Sequence, residues 1–215
     1  DVDVRALFAA PTLQSLAAAV GSVDLADAAV PDNGIPDGCD SIVPRMLTLV
    51  TLDQTDIDRI VAGVPGGAAN VQDIYPLAPL QESLLFHHAL GRHGDVFLAP
   101  TLYAVDNREA FDRYIDAVQT VIERHDVLRT ALAWEGLPEP EQVVWRRAPL
   151  VVEEVELDPA DGDIAAQLRE RFDPLRYRLD LRKAPAWRWF VARDERNNRW
   201  VALELMHHTT SDHTS

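Results

Sequence analysis

Residues 187–215, at the end of the chain, read WRWFVARDERNNRWVALELMHHTTSDHTS. Two apolar runs, Trp187–Ala192 and Trp200–Met206, are separated by a polar segment that contains Asn197-Asn198. Runs of aromatic and β-branched residues on both sides of such a turn signal predict a β-hairpin. Polar residues follow Met206 directly, so the pattern places them where a buried strand ends in a loop, a common position for functional side chains.

Upstream of this hairpin the sequence alternates between helical and strand-like patterns. The predicted elements are helices near 53–64, 79–90, 106–122 and 164–172, and strands at 96–105, 128–134 and 142–155. Thr51 and Gln54 have the spacing of a capping box, which predicts that Thr51 starts the first of these helices. Strands mixed with helices of this length predict an α/β fold built from mixed α+β layers.

The first 70 residues have a different composition. The pattern of residues 1–20 predicts a short helical turn, followed by an amphipathic helix that starts at Pro11-Thr12. The apolar face of that helix consists of Leu13, Leu16, Ala17 and Val20. Residues 21–44 are acidic, rich in Gly and Pro, and lack periodicity. We therefore predict a linker over residues 21–70, interrupted by the helix near 53–64.

The overall composition narrows the class of protein. A 215-residue chain that is 47% hydrophobic can bury one sizeable core. Its formal charge of −15 argues against a nucleic-acid partner, because phosphate binding needs a basic surface. No apolar run is long enough for a membrane span, and the single cysteine, Cys39, excludes an intramolecular disulfide. These features predict a soluble, acidic, cytoplasmic protein without a nucleic-acid or membrane partner.

The histidine-rich residues 206–215 are the strongest candidates for chemistry, and spacing alone leaves three interpretations open. His208, Asp212 and His213 could bind a metal, although their spacing matches no common zinc pattern. His207 and His208 point to opposite faces of a strand, so they cannot easily share one ion. Alternatively, the histidines satisfy buried backbone groups, or a neutral imidazole acts as a general acid–base catalyst near neutral pH.

Residues 206–213 resemble the HHxxxD active-site motif of nonribosomal peptide synthetase condensation domains, which belong to the chloramphenicol-acetyltransferase-like superfamily. Three further segments are similar to motifs of that family, in the family's order: Tyr75–Glu82, Arg124–Thr130 with Asp126 in place of Glu, and Leu179–Leu181 with Ala184-Pro185. The resemblance spans residues 71–215. It implies that this part is the N-terminal lobe of a condensation domain, with no metal at its site.

The resemblance also implies roles for individual residues. His208 is the expected catalytic histidine, which deprotonates or orients the acceptor amine that attacks the donor thioester. His207 and Asp212 are expected to be structural, and Asp212 is expected to pair with an arginine. Arg129 is one possible partner, although it could equally be a charge at the surface or at a sheet edge. The remaining residues expected at or near the site are His213, Arg124 and His125.

A second histidine pair lies at residues 87–95, which read HHALGRHGD. Histidines at the end of a predicted helix can serve stability alone, because they interact with the negative end of the helix dipole. The string nevertheless resembles the HH…GD signature of dual epimerization/condensation domains, except that Ala89 stands where that family usually has Ile or Leu. The residues that carry this resemblance are His87, His88, Gly94 and Asp95.

The dual subtype implies two successive reactions on one thioester. The terminal residue of the donor peptide is first inverted at its α-carbon, and the acceptor amine then attacks the same carbonyl group. We expect His208 to be needed for both steps, and His87 and His88 mainly for the inversion. The alternatives are a plain condensation domain and a non-catalytic module that docks carrier domains.

Residues 1–20 resemble the last helices of a peptidyl carrier domain. The serines at positions 15, 22 and 41 lack the Gly-Ser-Leu context of a modified serine, so 4'-phosphopantetheine is expected on partner domains and not on this chain. The expected partners are upstream and downstream peptidyl carrier domains, the adenylation domain of the same synthetase, and the C-terminal lobe of the condensation domain. Because that lobe is not in this sequence, we expect residues 1–215 alone to be inactive.

Overall fold

The structure, a computed structural model, describes residues 12, 14, 15, 31–91 and 93–210. The chain divides into two compact units, Asp1–Asp32 and Asn33–Ser215. In the first unit, the Ser15 amide donates to Thr12 Oγ1 at 3.1 Å, which is the hydrogen bond of a helix N-cap. Gln14 and Ser15 are helical, and the remaining residues of the predicted helix lie outside the described residues, so the resemblance to a carrier domain stays a prediction.

The second unit is a mixed α/β fold, as the sequence predicts. The α-helices among its described residues are α1 Gln54–Ala62, α2 Pro79–Leu90, α3 Arg108–Arg124 and α4 Ile164–Arg171. The strands are β1 Val71–Pro76, β2 Leu98–Val105, β3 Thr130–Ala133, β4 Glu141–Trp145, β5 Val151–Glu154, β6 Trp187–Asp194 and β7 Arg199–His207. No helix within the described ranges is both long and apolar enough to cross a lipid bilayer.

These strands form two sheets. The first has the order β1-β4-β3 and is antiparallel. The second has the order β2-β7-β6-β5, in which β5 pairs with β6 in parallel and the other neighbours are antiparallel. Strands β6 and β7 form the hairpin that the sequence predicts, and Asn198 in its turn has a φ of 48°, which asparagine tolerates. Since β7 lies between two neighbours, its last residue, His207, is carried into the interior.

Besides shifts of about two residues at several ends, two differences from the sequence-based expectation have a physical reason. The predicted strand at 142–155 is two strands in different sheets, because the chain leaves β4 at Arg146 and passes through Pro149, which cannot donate to a ladder. Helix α1 is capped by Asp53, whose carboxylate accepts from the Asp56 amide at 2.9 Å, and not by Thr51. The Gln54 side chain instead donates to the Ile42 carbonyl at 2.9 Å.

Residues 33–70 belong to the core and are not the linker that their composition suggests. Eight apolar side chains of this segment are buried in the same cluster as Val71 and Ile74 of β1: Ile35, Ile42, Leu47, Leu52, Ile57, Ile60, Val64 and Ala68. The Arg146 guanidinium donates to the Ile35 carbonyl at 2.9 Å and pairs with Asp37. Periodicity predicts the helix near 53–64 but misses Ile35, Ile42 and Leu47, because these side chains are buried one at a time outside any helix or strand.

Replacing Ile42 with Ala tests whether this segment stabilises the core. Ile42 is 2% exposed, so Ile42→Ala should lower the free energy of unfolding by about 2–4 kcal/mol, through lost apolar burial and a residual cavity. Leu49, which lies in the same segment and is 45% exposed, provides the control, since Leu49→Ala should cost less than about 0.5 kcal/mol. Urea unfolding of the 215-residue chain measures both values. Equal effects would mean that the segment does not contribute to the core.

Glu141 in β4 is a buried carboxyl group that predicts a specific pH dependence. Its side chain is buried and Oε2 has no hydrogen-bond partner among the described residues. Burial, together with repulsion from Glu139, raises the pKa of Glu141 from 4.5 to about 7. The folded state therefore keeps a proton that the unfolded state loses at lower pH, so the contribution of Glu141 to stability falls as the pH rises from about 4.5 to 7.

Substituting Gln for Glu141 should remove this pH-dependent penalty. At pH 8 we expect the free energy of unfolding of Glu141→Gln, measured in urea, to exceed that of the unsubstituted chain by about 1–3 kcal/mol. The difference should shrink towards pH 4. Glu195→Gln, at an exposed position in the β6–β7 turn, serves as the control and should show little change. A stability difference for Glu141→Gln that is constant between pH 4 and pH 8 would contradict the assignment.

Candidate active site

The end of β7 places two adjacent histidines in different environments. The His207 amide donates to the Ala186 carbonyl at 3.0 Å, and the His208 amide donates to the Phe97 carbonyl at 3.0 Å. The chain then turns, because the amide and hydroxyl of Thr210 both donate to the His207 carbonyl. As a result the His207 side chain is completely buried, while His208 is only partly buried at the first position beyond the sheet.

Hydrogen bonding fixes the tautomer of His207. The Thr209 backbone amide donates to His207 Nδ1 at 3.1 Å. Because a backbone N–H can only donate, Nδ1 must offer a lone pair, and the proton of the neutral ring lies on Nε2. His207 Nε2 is 3.2 Å from Asp95 Oδ2, although the two groups are not aligned as a regular hydrogen bond. The buried histidine therefore turns its N–H towards a carboxylate.

Asp95 joins the two histidine motifs. Its Oδ2 also lies 2.5 Å from His88 Nδ1, and its Oδ1 accepts from the Phe97 amide at 3.0 Å. Burial acts to raise the pKa of Asp95, but the close contacts with His207 and His88 outweigh it and hold the pKa well below its usual range. Asp95 is thus an ionised, buried carboxylate. We refer to His88, Asp95, Phe97 and His207 as the Asp95 network.

Gly94 allows the chain to bring Asp95 into the interior. A Cβ atom at this position would lie 2.2 Å from the backbone carbonyl carbon and oxygen of Leu175, and 2.6 Å from the Pro174 carbonyl oxygen. The Asp95 amide donates to that same Pro174 carbonyl at 2.7 Å. The glycine of the Gly-Asp pair therefore has a steric explanation, since only a residue without a side chain fits against this backbone.

Two further side chains hold the site, and the sequence patterns assigned a role to neither. The Arg178 guanidinium donates to the carbonyls of His88 and Gly91, which satisfies acceptors at the C-terminal end of α2. The Gln81 amide group donates to the Thr209 carbonyl at 3.2 Å and to Gln142 at 2.9 Å. Gln81 lies inside the motif at residues 75–82, which is a usable signal, whereas no periodicity singles out Arg178.

The two histidines of the second motif lie in different environments. His88 is buried, and its ring centroid is 5.8 Å from that of His207. His87 is exposed, and its ring centroid is 5.7 Å from that of Phe97, the residue whose carbonyl accepts from the His208 amide. The first histidine of the pair is therefore accessible, and the second belongs to the Asp95 network.

The remaining predicted site residues lie elsewhere or outside the described residues. Arg124 and His125 are exposed at the C-terminal end of α3. Arg129 is not a surface charge: it is buried, donates to Gln72 Oε1 at 2.9 Å, and also bonds Asp126 and the Trp145 carbonyl. Asp212 and His213 lie outside the described residues, so their contacts stay predictions.

A family model described as the condensation domain matches residues 71–215. The chain belongs to the condensation-domain family. The condensation-domain family that the sequence motifs indicate is thereby confirmed for residues 71–215.

Known relatives of this condensation domain are much longer proteins. The chain is 48% identical over 214 residues to malpinin synthetase of Mortierella alpina, and covers 100% of itself and 3% of that protein. Malpibaldin synthetase of the same organism is 46% identical over 214 residues, which cover 100% of the chain and 4% of that protein. The chain therefore spans only a few per cent of these relatives.

A solved structure shares the fold of the condensation domain. It is a four-domain nonribosomal peptide synthetase in its holo form, bound to AMP and glycine. The similarity has a TM-score of 0.55 at 19% identity and covers 66% of this chain and 11% of that one. At this level of identity the likeness concerns the fold alone, and it agrees with the α/β lobe that the sequence predicts.

Three donor atoms of the condensation domain are close enough together to suggest a metal site. They belong to His88, Asp95 and His207, and lie within 4.8 Å of one another. A metal ligand must offer a lone pair, yet the proton of neutral His207 lies on the nitrogen that faces Asp95. Both rings also approach a single carboxylate oxygen, as hydrogen-bond donors do. The geometry therefore favours proton sharing over metal coordination.

The steric role of Gly94 can be tested by stability. Gly94→Ala should lower the free energy of unfolding by about 2 kcal/mol or more, because the new methyl group meets backbone atoms that cannot move aside cheaply. Gly63→Ala is the matched control, since its Cβ would meet its nearest atom at an ordinary 3.4 Å. Urea unfolding of both variants measures the difference. If the two variants are equally stable, the close approach of residues 174–175 is not required.

Proposed function

We propose that this condensation domain forms peptide bonds between two carrier-bound substrates, with His208 as the catalytic base and with prior inversion of the donor residue. The observation that carries the proposal is the position of His208. Its main chain is bonded to Phe97, its neighbour His207 is locked in a buried network, and its own side chain is only partly buried. A partly accessible imidazole on a rigid support suits a group that must meet a substrate.

The condensation step needs one group that can accept and return a proton. The acceptor amine attacks the carbonyl carbon of the donor thioester, so a C–N bond forms and the C–S bond breaks. The His208 imidazole takes the proton that the amine loses and returns it to the departing thiolate sulfur. Imidazole suits this task because it titrates near neutral pH.

The inversion step needs a proton to leave one face of the α-carbon and return to the other. The thioester carbonyl acidifies that proton, and His208 is the group proposed to move it. Of the second pair, His88 is buried and bound to Asp95, so it supports the site, whereas His87 is exposed beside Phe97. We therefore assign to His87 the second proton transfer of the inversion.

The contacts of His88 favour the dual subtype over a plain condensation domain. If the pair only stabilised the end of α2, its rings would interact with the last carbonyl groups of that helix. The main-chain carbonyl groups of His88 and Gly91 instead accept hydrogen bonds from Arg178, and the His88 ring contacts Asp95. The second histidine motif is therefore in contact with the HHxxxD motif through Asp95, which approaches both His88 and His207.

The proposal implies specific partners. The donor and the acceptor reach the site on 4'-phosphopantetheine arms of upstream and downstream peptidyl carrier domains, in a cytoplasmic synthetase that also contains an adenylation domain. A C-terminal lobe of the condensation domain is the partner proposed to complete the tunnel around the site. The amide product contains the inverted donor residue.

A stereochemical assay on the complete synthetase tests the function. The donor carrier is loaded with a dipeptide whose terminal residue is L- or D-configured, and the product is hydrolysed and resolved by chiral chromatography. The unsubstituted enzyme should give a D residue from both donors. His208→Ala should lower product formation from either donor by about 100-fold or more. His87→Ala should lower product formation from the L-donor selectively.

His125→Ala serves as the control, because His125 is an exposed histidine at the end of α3. His125→Ala should leave the rates of product formation from the L-donor and from the D-donor unchanged. A His208→Ala enzyme with normal rates would refute the assigned base. An unchanged L residue in the product of the unsubstituted enzyme would refute the inversion and leave a plain condensation domain.

A further inference from the structure

We propose that Asp95 is a positioning residue shared by both histidine motifs, so that peptide-bond formation itself depends on it and not only the inversion. This inference rests on the proposed function, because it concerns how His208 is held. It changes the meaning of the Gly-Asp pair. The pair is then part of the condensation site as well as of an epimerization motif.

The first step is that one oxygen serves both motifs. Asp95 Oδ2 is 2.5 Å from His88 Nδ1 and 3.2 Å from His207 Nε2. Both rings are buried, so water does not replace either contact easily. A change at His88 therefore alters the charge and the geometry of the carboxylate that faces His207.

The second step connects Asp95 to the residue that follows His208. His207 can accept from the Thr209 amide only while its proton stays on Nε2, and the Asp95 carboxylate holds the proton there. Without that carboxylate the ring can place its proton on Nδ1, where it would face the Thr209 N–H. The backbone at Thr209 would then have to move, and with it the neighbouring His208.

The third step connects Asp95 to His208 through Phe97. The Phe97 amide donates to Asp95 Oδ1, and the Phe97 carbonyl accepts from the His208 amide. Asp95 therefore acts on the main chain of His208 through Phe97 and on the main chain of Thr209 through His207. Because both routes pass through other residues, the role of Asp95 is positioning.

Donors with a D-configured terminal residue separate condensation from inversion in the test. With this donor and the complete synthetase, Asp95→Asn should lower kcat for peptide formation by about 100-fold, while KM for the loaded donor carrier changes less than about threefold. Asp95→Asn keeps the size of the side chain but removes the charge that selects the His207 tautomer. His88→Asn should also lower kcat, and the double variant should be no worse than Asp95→Asn alone, since both act on one network.

Asp194→Asn is the matched control. Asp194 is also a buried carboxylate whose pKa is lowered by hydrogen bonds, but it binds Asn197 and Arg199 at the other end of the β6–β7 hairpin. This variant should lose stability without losing kcat. If Asp194→Asn lowers kcat as much as Asp95→Asn does, the effect is general destabilisation and the inference fails.

A measurement on the unsubstituted 215-residue chain covers the case in which Asp95→Asn does not fold. The ¹⁵N chemical shifts of the histidine rings report which nitrogen carries the proton, and His207 should carry it on Nε2. A proton on Nδ1, or one equivalent of Zn²⁺ bound by His88, Asp95 and His207, would overturn the inference.

The activity assay distinguishes this inference from the proposed function. Normal condensation of the D-donor by Asp95→Asn, with inversion of the L-donor lost, would confine Asp95 to epimerization and overturn the inference alone. An unsubstituted synthetase that forms no peptide bond from either donor would refute the proposed function instead.

Discussion

The buried charge of Asp95 is the constraint on which the rest of the site depends. An ionised carboxylate in a protein interior is stable only if hydrogen-bond donors replace the water that it has lost. Here the N–H groups that face the carboxylate belong to His88 in α2, to His207 at the end of β7, and to Phe97 in the loop between α2 and β2. Meeting this requirement fixes how α2 and the end of β7 lie against each other. The same contacts set the proton position on His207 and the main-chain position of His208.

The supporting residues show how the fold makes such a charge possible. Gly94 admits the backbone of residues 174–175, and Arg178, a few residues further on, binds the end of the helix that carries His88. The segment at 174–178 thus contacts the second histidine motif twice. From the other side, Gln81 in the first turn of α2 reaches the Thr209 carbonyl. Both ends of one helix are therefore tied to the loop that presents His208 or to the network beneath it.

Sequence patterns predicted those parts of the fold that depend on local periodicity. The β6–β7 hairpin, α2 and the strand-to-loop position of His208 all follow from runs of apolar residues and turn signals. Residues 33–52 could not be assigned to the core in this way, because side chains such as Ile35 and Ile42 are buried singly outside helices and strands and therefore have no period. The contact between Asp95 and His207 was equally hidden, since it joins residues far apart in sequence through an oxygen atom. Tautomers and ion pairs of this kind depend on distances that only the folded chain sets.

The pairing of β7 with strands on both sides has a consequence for how the site can vary. Leu98 lies opposite His207 on one side, and Trp187 lies opposite Met206 on the other. Because side chains alternate along a strand, gaining or losing one residue within β7 would exchange the buried and the accessible histidine. Insertions and deletions in this strand should therefore be far less tolerated than substitutions. Length changes are better accommodated in the β6–β7 turn, where the exposed Asn198 leaves the alignment of the histidines unaffected.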